Sequence, residues 1–134
     1  MAILTILAGG TLIGLRPMGN RTLHNASLQL QADMRYVQRR AVIEGRSFGI
    51  VFNIADNYYR IIQTLPERTI DTIFLPDGVR LVETSATRLM FLPRGTPSAG
   101  FRVILGRGSD TQRLTATVSG GRIRIFDINT IEYE

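Results

Sequence analysis

Six apolar residues, Leu23, Ala26, Leu30, Met34, Val37 and Ala41, follow one another at spacings of 3, 4, 4, 3 and 4. That rhythm puts them in one stripe along a single α-helix. Arg21, Gln29, Arg35, Gln38 and Arg39 fall off the stripe, and Glu44-Gly45 supplies a glycine stop. From Ser47 onward the helical period is gone, and β-branched and aromatic residues alternate with polar ones. A chain that changes period once, from helix to strand, is α+β, and the stripe is the face that packs on an antiparallel sheet. The expected division is therefore a helical part over 1–46 and a β domain over 47–134.

Ahead of the stripe, MAILTILAGGTLIGL carries no charge over residues 1–15, and Arg16 and Pro17 end it. Fifteen residues are fewer than the roughly 20 that span a bilayer as a helix. A signal peptide would need a basic start and a small-residue cleavage site, neither of which is evident. A third reading is the rear of a longer apolar helix, and the Gly10-x-x-x-Gly14 spacing suits close helix packing in lipid. Residues 17–20 read as a Pro/Gly break, with the amphipathic helix expected over 20–45.

The β part divides at its turn residues. Phe48 to Ile54 and Tyr59 to Gln63 flank Asp56-Asn57, which reads as a two-residue hairpin turn. Leu65-Pro66 interrupts the pattern, Thr69 to Leu75 reads as a short strand, and Pro76-Asp77-Gly78 as a turn. Val79–Val82, Arg88–Leu92, Phe101–Leu105, Gln112–Val118 and Arg122–Phe126 complete an antiparallel succession. With Gly120-Gly121 as a two-residue turn, Val118 pairs with Ile123, Thr117 with Arg124 and Ala116 with Ile125. Apolar then meets apolar and polar meets polar. That register turns Arg122 and Arg124 to solvent with Arg113, Thr115 and Thr117, and Arg102 joins them by parity.

Composition excludes most familiar chemistry. There is no Cys, which rules out disulfides, thiolate zinc sites and cysteine nucleophiles. A single His, His24, reads as a solvated helix residue, and one imidazole furnishes neither a His-based metal site nor the base of a Ser-His-Asp triad with a partner in sight. Asp71, Asp77 and Asp110 sit in or near turns with no acid–base spacing, and Gly106 to Asp110 lacks the Lys and helix of a phosphate loop. Asn20-Arg21-Thr22 and Asn25-Ala26-Ser27 match the glycosylation sequon, a pattern short enough to arise by chance. No enzyme and no cofactor are expected. All sixteen basic residues are Arg, for which coding bias is the simplest cause. They cluster: residues 16–46 carry +4, 47–87 carry −2, 88–124 carry +6, and the last ten −3.

At this point the chain resembles the minor pilins and pseudopilins of type IV pili and type II secretion systems, of the GspH/FimT type. MAILTILAGGTLIGL is similar to the latter part of the pilin N-terminal segment, QADMRYVQRRAVIEG to the second half of its helix, LPDGV and MFLPRG to mid-domain motifs, and VSGGRIRIFD to the terminal hairpin. The resemblance implies a pilin-like fold and a non-catalytic filament subunit. The peptidase site that precedes a methylated Phe and a Glu in the family is not in this sequence. By the family pattern, the leader and roughly ten mature residues would precede Met1, which would complete a membrane-spanning length.

Two functional expectations follow from the resemblance. In the first, Ile3, Leu4, Ile6, Leu7, Leu12, Ile13 and Leu15 hold the subunit in the bacterial inner membrane as a single-pass protein and then pack among other pilins, with the β domain periplasmic or extracellular. In the second, proper to the FimT competence branch, the Gly121-Arg122-Ile123-Arg124 motif contacts double-stranded DNA, with Arg113 and Arg102 beside it. Arginines at strand spacing on one wet face would reach successive phosphates without reading sequence.

Overall fold

A computed structural model of the chain describes residues 18–118 and 121–127. The apolar segment holding Ile3, Leu4, Ile6, Leu7, Leu12, Ile13 and Leu15 lies outside the described residues. Among the described residues no helix is long and apolar enough to cross a membrane.

Helix α1 runs from Met18 to Glu44. The expected break over 17–20 is thus narrower than the sequence suggests, since Met18, Gly19 and Asn20 are already helical. A proline ahead of a helix is compatible with its first turn, and one glycine weakens a helix by only about 1 kcal/mol. Every stripe residue is buried, with Leu30, Met34, Val37 and Ala41 at 0% exposure. The helix stops at Gly45, whose φ of 65° is cheap only without a Cβ. From there its N–H donates to Ala41 O at 3.0 Å, occupying a carbonyl the helix end would leave open.

Eight strands follow: β1 (Phe48–Asn53), β2 (Tyr58–Gln63), β3 (Arg68–Phe74), β4 (Arg80–Thr84), β5 (Arg88–Phe91), β6 (Phe101–Arg107), β7 (Asp110–Ala116) and β8 (Ile123–Asp127). They form two four-stranded sheets, β3-β2-β1-β5 and β4-β6-β7-β8, with all pairs antiparallel. The chain crosses to the second sheet at β4, returns to the first at β5 and crosses again at β6, so a single sheet does not form. Helix α1 packs on β1 and β5 of the first sheet and on β6, β7 and β8 of the second. Its stripe closes one core with Phe48, Ile50 and Phe52 from β1 and Val103, Leu105 and Leu114 from β6 and β7. Phe52 and Phe101 stack across the two sheets with centroids 5.2 Å apart.

Two turns depart from the expected ones. β1 and β2 pair up to Asn53 and Tyr58, leaving four loop residues where two were expected. Asn53 Oδ1 accepts from Asp56 N at 2.8 Å, which fixes that loop locally. Asn57, at φ 60°, does more than turn the chain. Its Nδ2 donates to Val79 O and its Oδ1 accepts from Leu81 N, both at 2.8 Å, so one amide side chain ties the first sheet's hairpin to the start of β4.

At the last hairpin, Ala116 pairs with Ile123, Thr115 with Arg124 and Leu114 with Ile125, a register two residues away from the expected one. A slip of two leaves every side chain on its face, so alternation alone does not distinguish the two registers. The connection spans residues 117–122, and Thr117 N donates to Arg122 O at 3.0 Å.

Candidate functional site

What selects the longer connection is the helix. Gln38 reaches out from the flank of α1, and its Nε2 donates to Gly95 O at 2.7 Å and to Gly121 O at 2.9 Å. Gln31, two turns earlier on the same flank, donates to Ile123 O at 3.2 Å. The backbone entering β8 is thereby pinned to α1 rather than to a tight turn. Gly121 is buried at φ 62°, and a Cβ there would lie 2.7 Å from Gln38 Nε2 and 2.8 Å from Gly95 O. Only glycine passes through that gap. Its place in the motif is therefore a packing requirement of the junction between helix, the 92–97 turn and β8.

Around this junction lie two adjoining grooves of about 580 and 520 Å³ that share Arg35 and Gln38. The first is also lined by Arg39, Val42 and Arg94, and the second by Arg122 and Arg124. Five guanidinium groups border the pair, and no carboxylate is among the lining residues. All five arginines are exposed. Arg94 Nε donates to Thr96 Oγ1 at 3.0 Å, and among the described residues the other four form no ion pair.

Of the four arginines expected to act together, Arg102, Arg113 and Arg124 share one sheet face, and Arg122 precedes β8. Arg102, Thr115 and Arg124 form a cross-strand row over β6, β7 and β8, and Arg113 stands in the next row between Ile104 and Phe126. They are not equivalent, however. Arg102 Nη2 donates to Glu83 Oε2 at 3.2 Å, and its N–H donates to Ser85 Oγ. Arg113 is half-buried. Arg122 and Arg124 are exposed and share a groove with Arg35 of the helix, while Arg39 lines the adjoining one; the strand-based reading included neither helix arginine. A signal for these was present: Arg35, Gln38, Arg39 and Val42 follow i, i+3, i+4, i+7 spacing, a second stripe beside the core one. Arg94, on a turn, carries no such pattern.

The opposite flank of α1 is different in kind. Tyr59, fully buried, donates its hydroxyl to Asp33 Oδ2 at 2.6 Å, and Gln29 Nε2 donates to Asp33 Oδ1 at 3.0 Å. Burial raises the Asp33 pKa above the usual carboxylate range despite both bonds, with Asp71 adding to the rise. Burial, then the Asp33 hydrogen bond and charge, push the Tyr59 hydroxyl further from ionising. Next to them is a mostly apolar hollow of about 320 Å³ between α1 and the β2–β3 edge, with Phe74 at its rim. No group of three metal-ligating side chains occurs among the described residues. His24, Asp71 and Asp77 are exposed.

The sequence pattern of the family described as Type II transport protein GspH matches residues 26–121, from the apolar stripe to the glycine of the junction. No curated protein matches the chain in sequence. Among solved structures, the minor pseudopilin EpsH from the Type 2 Secretion System of Vibrio cholerae superposes with a TM-score of 0.69 at 15% identity, over 79% of this chain and 97% of that one. The type IV minor pilin FimU of Pseudomonas aeruginosa superposes with a TM-score of 0.64 at 18% identity, over 81% and 92% respectively. The helix on antiparallel sheets is thus the pilin-like fold. With the family pattern spanning most of its length, the chain belongs to the GspH family.

Proposed function

We propose that this protein is a minor subunit of a type II secretion or type IV pilus filament, entering it through the apolar segment ahead of α1. The family match carries the reading, and the uncharged stretch over residues 1–15 supports it. Before assembly that segment would be held in the bacterial inner membrane. Leaving the bilayer then requires little, because the apolar helices of neighbouring subunits bury the same surface that lipid does. The β domain would remain in the periplasm or on the filament surface.

The test is Ile6→Arg and Ile13→Arg in the full chain, each placing a charge where a packed apolar helix would be. We expect the variants to keep wild-type far-UV circular dichroism of the sheet domain and to vanish from sheared filaments. Recovery in filaments at wild-type levels would overturn the role of the segment. Double-stranded DNA finds less support as a partner, since Arg102 is engaged by Glu83 and Arg113 is half-buried. A mobility-shift assay comparing wild type with Arg122→Gln/Arg124→Gln would restore that reading if wild type retains DNA and the variant does not.

A further inference from the structure

Five arginines converge on the two grooves beside the Gln38 junction, and nothing among the described residues neutralises them. Arg35 and Arg39 come from one helix flank, Arg94 from the turn that Gln38 grips, and Arg122 and Arg124 from the entry to β8. Elsewhere among the described residues, Arg40 pairs with Glu44, Arg88 with Glu67 and Arg102 with Glu83. Among the described residues this cleft is therefore uncompensated, a concentration of like charge that is held only at some loss of stability. The guanidinium fork binds a carboxylate through two parallel hydrogen bonds, so the complement of such a cleft is a carboxylate-bearing surface.

We propose that this cleft is a docking site for an acidic segment of a neighbouring filament subunit, an inference that rests on the filament reading above. Two features favour protein over nucleic acid. Val42 lines the cleft at 52% exposure and Ile43 beside it is 71% exposed, giving the arginines the apolar edge typical of the core of a protein interface. No aromatic side chain lines either groove, so there is no stacking platform for the bases of a single strand. The rigid seating of Gly121 and Gly95 on Gln38 also holds the arginine-bearing elements in fixed relation before any partner arrives, which reduces the ordering entropy of docking.

The absence of lysine from the sequence makes a selective test possible. Arg35→Lys and Arg122→Lys each introduce the only side-chain amine of the chain while keeping the charge. In filaments assembled with the full-length variants, a carbodiimide joins that amine to a carboxylate only when the two are in contact, with loss of water and formation of an amide. Mass spectrometry then identifies the partner peptide. We expect amide cross-links from positions 35 and 122 to Asp or Glu of another subunit, at a yield roughly tenfold above that of Arg68→Lys on the far edge strand, as a contact worth one decade of affinity would give. Yields equal to that control, in filaments that contain the subunit, would overturn the cleft and leave the filament reading intact. Absence of the wild-type subunit from filaments would instead overturn the filament reading, and this inference with it. Retention of double-stranded DNA by wild type that is lost in both Arg35→Gln and Arg122→Gln would assign the cleft to nucleic acid and overturn the proposal as stated.

Discussion

Asp33 shows how a single side chain takes its character from what folds around it. On the helix surface it would be an ordinary carboxylate, but with Tyr59 beneath it the anion is partly desolvated and its pKa is raised. The folded state therefore holds the Asp33 proton more tightly than the unfolded chain does. Stability from the neutral carboxyl is complete below the ordinary carboxylate pKa, about 4, and is lost as pH rises through the higher folded value. Asp33→Asn removes this titration while keeping an acceptor for Tyr59. Urea unfolding as a function of pH should show wild type losing stability relative to the variant as pH climbs from about 4, and parallel pH profiles would contradict the assignment. Asn57 is a second case, one amide bonding two backbone groups of another sheet from a left-handed conformation. Asn57→Ala should cost about 2 kcal/mol or more, through two lost bonds and an unfavourable φ. Asn57→Gly relieves only the backbone part, so the two variants measured together separate the contributions.

Among the elements, β8 depends most on something outside itself. It is an edge strand joined to β7 alone within its sheet, and its approach is fixed by Gln31 and Gln38 of α1. Gly121 is the hinge of that arrangement. Gly121→Ala must push either Gln38 or the Gly95 carbonyl aside, and the native φ is also unfavourable for alanine. We expect a loss of about 1–3 kcal/mol by the usual cost of a strained backbone position. Hydrogen exchange should locate the damage: amides of β8 lose protection first, while those paired between β1 and β2 keep theirs. Uniform loss across both sheets would mean that the junction supports the whole fold rather than one strand.

For the whole molecule, the helix is the shared floor of two sheets. Leu30, Met34 and Val37 touch a core drawn from both, so neither sheet has a separate apolar centre of its own. Leu30→Ala should cost roughly 2–5 kcal/mol, as deleting a fully buried leucine does. The loss should fall on both sheets together, with circular dichroism and tyrosine fluorescence giving coincident unfolding curves. Two separate transitions would show that the sheets are independently stable. The ion pairs Arg40–Glu44, Arg88–Glu67 and Arg102–Glu83, all between partly or well exposed side chains, contribute little beside this burial.

The class of the fold was legible in the order of the residues alone, because periodicity records which face of an element meets the core. The stripe from Leu23 to Ala41 is buried as read, Gly45 ends the helix, and the strand segments fall close to their expected places. Parity was legible too, which is why Arg102, Arg113 and Arg124 do share a face. The register of the last hairpin, the division into two sheets and the company kept by Arg122 and Arg124 came from packing between distant parts of the chain. A two-residue slip preserves parity, and a change of sheet preserves alternation, so neither leaves a mark in local pattern. What chose among these alternatives was contact between residues far apart in the chain: one glutamine bonding carbonyls 57 and 83 residues away, and one asparagine bridging the sheets.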